Sequence, residues 1–450
     1  MEAQTVTPHE QHDACPERRP EASAEALRGE RSAEPLTEAP AACTEPSRSE
    51  GQSRRVVLRA LGRAIFFLSF PLGVLSFALP IYGKELGATA LEIGALFSVF
   101  FMMAALLRPL LGRLMDRYGR RPFLLLGVAG YLGATLLFLL AGDGSTGPVL
   151  SAAEGLTTGL LVLLAARVIE GAASSLLWLS AYAIVADCSP PDERGRRFGR
   201  VQEQLWRGVL VGAFVGFPTL GYLGIVRGWK VVFAGYTPLA LVALFFAWRG
   251  VRETLPATLP SAPARRRIAP QLYVLMGIAV LTAASAALLT PVLMIFLQER
   301  FGAPVHDLAL AYVPATILHG FLPSQLGRIA DRVGRKLPMI VGLLAAAVTS
   351  LAIPSAGSML LIALAWAIEA ACFSAATPAV KALVADHSGA EVRGTGYGLY
   401  TLASGLGATI GPLLGGWVYD TWGHAMPFYL NACMLVVGAS LVLALVQERR

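Results

Sequence analysis

Hydrophobic positions along the chain fall in long unbroken runs parted by short polar stretches. The runs lie at about 58–82, 91–111, 122–142, 157–187, 197–222 and 229–249, then at about 271–298, 306–326, 337–357, 359–386, 394–418 and 425–447. Each is long enough for the roughly 20 residues that cross a bilayer core. Backbone amides in lipid must be satisfied within the segment, so runs of this length predict helices. The expectation is an all-α membrane protein of twelve transmembrane helices. Residues 250–270 interrupt the series with Pro256, Pro260, Pro263, Pro270 and the run Arg265-Arg266-Arg267, which is linker composition. They divide a six-helix bundle at 54–249 from a second at 271–450. Residues 1–53 carry almost no large apolar side chain and cannot offset their ordering entropy, so they read as a disordered tail. Ser53-Arg54-Arg55 reads as charge beside a membrane and not as an export signal, because the apolar run after it is too long and has no cleavage site.

Composition agrees with this picture and charge adds orientation. Hydrophobic residues make up 55% of the chain and charged ones 15%, a balance that a water-soluble globule does not sustain. The formal charge of +7 hides a division, since residues 1–50 hold eleven acidic and five basic side chains, a net −6 that leaves +13 on the rest. That excess is almost all arginine, with lysine only at Lys84, Lys230, Lys336 and Lys381, a bias that GC-rich bacterial genomes produce. The arginines lie in short loops on one side of the spans, which argues against nucleic acid. By the rule that basic loops stay inside, that side is cytoplasmic, as are both termini of an even number of spans. A bacterial inner membrane is the expected location. Cys15, Cys43, Cys188, Cys372 and Cys433 show no paired spacing, so no metal centre or disulfide framework is expected.

One polar loop occurs twice. Gly112-Arg113-Leu114-Met115-Asp116-Arg117-Tyr118-Gly119-Arg120-Arg121 is matched by Gly327-Arg328-Ile329-Ala330-Asp331-Arg332-Val333-Gly334-Arg335-Lys336, displaced by 327 − 112 = 215 residues. A second pair follows. Val185-Ala186-Asp187-Cys188-Ser189 with Arg194-Gly195 and Gly199 matches Val384-Ala385-Asp386-His387-Ser388 with Arg393-Gly394 and Gly398, at 386 − 187 = 199. The change of offset places a deletion between the third and fourth spans of the second half, where Ser355–Ser358 stands against Gly142–Thr157 of the first. The chain is two copies of one six-span unit.

This doubled loop resembles the signature of the major facilitator superfamily of membrane solute carriers. The resemblance implies two six-helix pseudo-repeats around a central cavity, rocking to open to either side in turn. It also implies that Asp116 and Asp331 meet the N-terminus of the fifth helix of the opposite half, where a carboxylate is favoured. Gly112, Arg117, Gly119, Arg120, Asp187 and Arg194, with Gly327, Arg332, Gly334, Arg335, Asp386 and Arg393, would complete a cytoplasmic gate.

Ionisable residues inside the spans are costly and mark function. On the fourth span Arg167 and Glu170 stand three apart, close enough to pair, within Arg-Val-Ile-Glu-Gly-Ala-Ala. This resembles the fourth-span signature of the family's proton-coupled members, with Glu170 in place of the usual Gln. The 199 offset carries Glu170 onto Glu369 of the tenth span. Proton exchange at this pair of carboxylates and a static ion pair are both open readings. Glu203 and Arg207 in the fifth span have no counterpart at Leu402 and Leu406, so they are candidates for substrate recognition, or else a simple pair at four residues. His319, near Gly320 and Pro323, reads as a partner for a carbonyl freed by the proline. Gly407, Gly411, Pro412 and Gly415 in the eleventh span, like Gly208, Gly212 and Gly216 in the fifth, form a face for close helix packing.

The function expected is secondary active transport by alternating access, with proton-coupled efflux of a small amphipathic molecule. A proton-linked importer and a non-transporting receptor are the alternatives. The expected partners are a small-molecule substrate, protons and the lipid bilayer, with the chain a monomer. No phosphate-binding loop, nucleophile elbow or cofactor motif is present, so an enzyme is not expected.

Overall fold

The structure is a computed structural model that describes residues 48–141, 158–189, 194–254, 270–302, 307–308, 313–315, 317–318 and 336–446. Of the described residues, 48–51, Ser53, Arg113, Asp116, 194–196, 373–382 and 385–397 are described by backbone alone. The regular elements are α1 (Arg48–Leu68), α2 (Phe70–Glu85), α3 (Ala90–Leu106), α4 (Arg108–Tyr118), α5 (Arg121–Ala141), α6 (Thr158–Asp187), α7 (Arg194–Leu223), α8 (Ile225–Gly250), α9 (Pro270–Phe301), α10 (Lys336–Ala352), a 3₁₀ turn at Ile353–Ser355, α11 (Met359–Trp422) and α12 (Met426–Leu445). There is no strand among the described residues.

Helices and spans do not correspond one to one. The first span is α1 and α2, broken at Ser69, where Pro71 withholds an amide and the Ser69 hydroxyl donates to the Ile65 carbonyl at 2.6 Å. Pro109 breaks the second span into α3 and α4 in the same way. Helix α1 begins at Arg48, inside the stretch that composition reads as tail. The predicted eighth span, at 306–326, falls mostly outside the described residues.

The largest departure from the sequence pattern is α11, helical over 64 residues where two spans and a loop at 387–393 are predicted. Both of its ends nevertheless lie beside one end of α9. Tyr419 donates a hydrogen bond to Glu299, and Arg300 donates to the carbonyl of Ala356 at 3.0 Å, just before α11 begins. The element therefore makes two passes and reverses near its middle. No proline lies between Pro378 and Pro412, so nothing there forces a break in backbone hydrogen bonding.

The molecule has two distinguishable ends. One carries Arg120 and Arg121 and is where α1 begins and α12 finishes: Lys336 donates to the carbonyls of Leu443 and Val446 at 2.8 and 2.9 Å, and Gln271 to that of Leu445 at 2.7 Å. This is termed the basic end, and the other the far end. Eight helical segments among the described residues are long and apolar enough to cross a membrane, and Met359–Cys372 is a shorter apolar one. Phe214, Trp248, Leu360 and Val348 are more than half exposed, which suits an outer surface bathed in lipid.

The glycine faces reveal the repeat in three dimensions. A Cβ on Gly208 would strike the backbone of Phe66, and one on Gly212 the backbone of Phe70; the counterparts Gly407 and Gly411 meet the backbones of Val280 and Ala284. The glycines are related by 407 − 208 = 199 and their partners by 280 − 66 = 214, so fifth span packs on first as eleventh packs on seventh. Gly199 and Gly398 share the periodicity, but nothing lies near a Cβ at either one, and they are outside these interfaces.

Candidate functional site

Inside the first half, α6 carries the predicted pair. Arg167 and Glu170 are 4% and 1% exposed, with Arg167 Nη1 donating to Glu170 Oε2 at 2.6 Å and Nε donating to the Leu96 carbonyl of α3 at 3.1 Å. The guanidinium lies over the rings of Phe100 and Phe97, 4.4 and 5.2 Å from their centroids. Gly171 follows, where a Cβ would reach within 2.9 Å of Met103 Cβ, so α6 and α3 approach closely around the pair. One cation thus ties the fourth span to the second through an ion pair, a backbone bond and two aromatic faces.

In the second half Glu369 is also buried, at 6% exposure, but its surroundings differ. Asn431 Nδ2 of α12 donates to Glu369 Oε1 at 3.2 Å and to the Ser350 hydroxyl of α10 at 3.1 Å. Ser285 of α9 donates to Asn431 Oδ1, and Ser350 donates to the Phe428 carbonyl at 3.0 Å. Four spans meet in this neutral network. At the place of Arg167 the second half has Trp366, so two carboxylates at equivalent positions face a guanidinium in one half and an amide in the other. Neither Asn431 nor the two serines was legible as a partner, since a lone Asn in an apolar run has no periodic signal.

Glu203 and Arg207 pair with each other across one turn of α7, and both side chains are more than half exposed. The structure does not bring them to Arg167, Glu170 or Glu369.

At the basic end, part of the predicted gate is assembled within the first half. Arg120, 8% exposed, pairs with Asp187 at 3.3 Å, and Thr254 Oγ1 donates to the same carboxylate oxygen at 3.1 Å. Gly119 has φ +100°, a conformation glycine adopts freely, and it turns the chain into α5. There Glu253 accepts from the amides of Arg120 and Arg121 at 2.8 and 3.1 Å, and Arg121 Nη2 donates to the Trp248 carbonyl at 2.9 Å. Glu253 therefore caps the third span from the end of the sixth. Sequence reasoning overlooked it, although Val251-Arg252-Glu253 after the sixth run and Val446-Gln447-Glu448 after the twelfth are similarly placed. Arg117 is exposed and lies over the ring of Tyr118. Gly112 has open space beside it. The side chains of Asp116, Arg194, Asp386 and Arg393, and all of Gly327, Asp331, Arg332, Gly334, Arg335 and His319, lie outside what is described. Burial pushes the Cys188 thiol up to about 11, so it is no reactive thiolate.

The two halves meet at the far end through contacts that the sequence did not reveal. Asp420 of α11 accepts from the backbone amides of Ala90 and Leu91 at 3.2 and 2.8 Å. The N-terminus of α3 also holds a capping box, with the Thr89 amide donating to Glu92 at 2.8 Å and the Glu92 amide to Thr89 Oγ1 at 3.2 Å. All four donors from Thr89 to Glu92 are thus satisfied, two of them by the other half. Lys84 at the end of α2 pairs with Glu299 at the end of α9, and His424 is 3.4 Å from the same carboxylate. Below this, a Cβ on Gly416 would reach within 2.7 Å of Ala90 C and Leu91 Cα, one on Gly94 within 2.9 Å of Pro412 C, and one on Gly405 within 2.8 Å of Ala105 Cβ. Second and eleventh spans are packed backbone to backbone, so the two halves are closed against each other along this seam.

Comparison with known proteins agrees with this architecture. A family model described as Major Facilitator Superfamily matches residues 61–275 and again 275–450. Multidrug resistance protein 2 of Bacillus subtilis (strain 168) is 22% identical over 392 residues, covering 84% of this chain and 92% of that protein. Tetracycline resistance protein, class B, of Escherichia coli is 24% identical over 373 residues, covering 80% and 86%. Among solved structures, a bacterial homolog of the human lysosomal transporter Spinster, in an inward-facing and occupied conformation, superposes with a TM-score of 0.69 at 17% identity, over 87% of this chain and 96% of that one.

Proposed function

Since the chain belongs to the major facilitator superfamily and is a transporter, not an enzyme, we propose that it is a secondary active carrier that exports a small amphipathic molecule by alternating access, driven by protons. The observation that carries this reading is the unequal setting of the two buried carboxylates. Glu170 can take up a proton only by giving up its ion pair with Arg167, whereas Glu369 meets the neutral amide of Asn431. Glu369 can therefore exchange a proton without breaking an ion pair, and Arg167–Glu170 serves as a switch coupled to the position of α3, to which Arg167 is tied. Export is the direction favoured by the names of the two relatives, since a membrane carrier confers resistance by removing a compound. The basic end faces the cytoplasm of a bacterial inner membrane in this reading, and Asp116 and Asp331 close that end when the far end opens.

Proteoliposomes with an imposed pH gradient, tetracycline as probe and a trapped pH indicator test the proposal. Substrate and protons should move in opposite directions. Glu369→Gln should abolish gradient-driven accumulation while leaving downhill movement. Coupled transport that survives in both Glu170→Gln and Glu369→Gln would overturn the proton assignment.

A further inference from the structure

The second span holds an arginine that none of the contacts above uses. Arg108 lies within Ala90–Gly112, a segment long and apolar enough to cross a membrane, and opens α4 just after the break at Leu107. Leu106 and Leu110, both more than half exposed, mark the lipid side of this span. Arg108 is two residues from each, about 200° of helix turn, so it stands on the opposite side and is turned into the bundle. An ionisable side chain at such a place is costly and marks function.

Its surroundings are aromatic. Tyr182 of α6 is within electrostatic reach of the guanidinium and is 42% exposed, so its ring is open on one side. That ring lies 5.6 Å from the ring of Trp178, one turn earlier on α6, and 5.8 Å from the ring of Phe198 on α7. Second, fourth and fifth spans thus converge on a guanidinium and three rings.

No carboxylate pairs with Arg108 among the described residues. One turn away on its own span stand Ala104, Ala105, Leu111 and Gly112, and Asp116, eight residues on, is outside the spacing at which side chains of one helix meet. The carboxylates of α6, Glu170 and Asp187, are held by Arg167 and Arg120. Across the seam, Gly416 meets Ala90, Gly94 meets Pro412 and Gly405 meets Ala105. This antiparallel register continues to 399–402 beside Arg108, where Leu, Tyr, Thr and Leu bring no charge. The planar fork of arginine matches a carboxylate or sulfonate, and aromatic side chains stack on a ligand's flat ring.

We infer that Arg108, Trp178, Tyr182 and Phe198 form a binding wall for amphipathic organic anions, with the ligand's negative group on Arg108 and its ring system against the aromatic side chains. The inference rests on the reading of the chain as an exporter of amphipathic molecules and narrows it to those that carry a negative charge beside a ring.

The experiment measures dye binding by fluorescence anisotropy, with the full chain in phosphatidylcholine nanodiscs, empty nanodiscs as blank and no gradient imposed. Fluorescein and rhodamine 6G share a xanthene ring and are negatively and positively charged, respectively, at neutral pH. The native chain should bind fluorescein more tightly by about tenfold or more, and Arg108→Gln should weaken fluorescein about tenfold while rhodamine 6G binds as before or better. Arg108→Lys, which keeps the charge and loses the fork, should fall between, and it carries the test should the glutamine variant fail to fold. Trp178→Leu should weaken both dyes, and Arg249→Gln, which removes the same charge from the exposed end of α8, should alter neither. Equal affinity of the native chain for the two dyes, or equal loss of both in the Arg108 variants, would overturn the inference. Since binding is read without a gradient, a chain that shows this selectivity yet moves no substrate against protons would refute the export reading and support the site.

Discussion

The contact between Asp420 and the start of the second span offers a direct measure of how firmly the far end is shut. Asp420→Ala removes a carboxylate that accepts from the Ala90 and Leu91 amides at 3.2 and 2.8 Å. A side chain capping a helix N-terminus contributes about 0.5–2 kcal/mol. The part due to its charge near exposed helix ends is about 0.3–1 kcal/mol. Asp420 is exposed, so about 1–2 kcal/mol for alanine and about 0.5–1 kcal/mol for asparagine are the working figures. When the far end opens the two amides find water instead, so the whole of this difference acts on the equilibrium between closed and open. The open fraction should rise about 5- to 30-fold in Asp420→Ala and about 2- to 5-fold in Asp420→Asn. Spin labels at positions 85 and 421, both exposed, in a chain whose native cysteines are replaced, would report the distance between halves by pulsed electron resonance in nanodiscs. An unchanged distance distribution in Asp420→Ala would refute the claim that this cap restrains opening. So would equal shifts for Asn and Ala, since the neutral acceptor that asparagine keeps would then count for nothing.

Three further outcomes follow from the same geometry. Arg167→Met leaves Glu170 buried without its cation, which should destabilise the protein by about 3–5 kcal/mol; adding Glu170→Gln should recover part of that, and thermal melting of the two variants in detergent would reveal a failure to do so. Gly411→Ala forces a Cβ within 3.0 Å of the Leu288 amide nitrogen and should cost about 1–3 kcal/mol by overpacking, while Gly398→Ala, with open space beside it, should be neutral or mildly stabilising; melting curves that coincide would contradict the assignment of only the inner glycines to the interface. Glu253→Ala uncaps the third span at the Arg120 and Arg121 amides and should lower stability by about 0.5–2 kcal/mol, with faster hydrogen exchange confined to the first turn of α5 as the distinguishing sign.

How much of this was readable beforehand depends on whether a feature is periodic. Apolar runs and the doubled loop are repeated patterns, so the six-plus-six plan and the close approach at Gly208, Gly212, Gly407 and Gly411 follow from spacing. The Arg167–Glu170 pair was legible because both residues lie on one helix face, and Glu203–Arg207 pairs across one turn for the same reason. Contacts between distant segments leave no such trace. Asp420 with Ala90, Lys84 with Glu299, and Asn431 with Glu369 join residues 330, 215 and 62 positions apart, and each side chain alone is an ordinary polar residue at a span end or within one, while Ala90 offers only its backbone amide. The reversal inside α11 was legible as a loop, yet not its helical backbone, because the loop residues carry no proline to forbid it.

The distribution of contacts also indicates which parts can move. Within each half the spans are joined by glycine faces set against backbone, fifth on first and eleventh on seventh, and packing of that density transmits displacement without deforming. Between the halves the α3–α11 fit is equally close at Gly94, Gly405 and Gly416, and at the far end an ion pair and a borrowed cap join an apolar cluster that α2 and α9 share. The polar partners exchange protein for water at modest cost on separation. A closure of this kind holds the second and eleventh spans in register and lets them part. Reversible separation at the α3–α11 contact, with each half moving as a body, is therefore the motion this architecture permits most readily, and Arg167 of α6 is tied through Leu96 to α3, the helix at that contact.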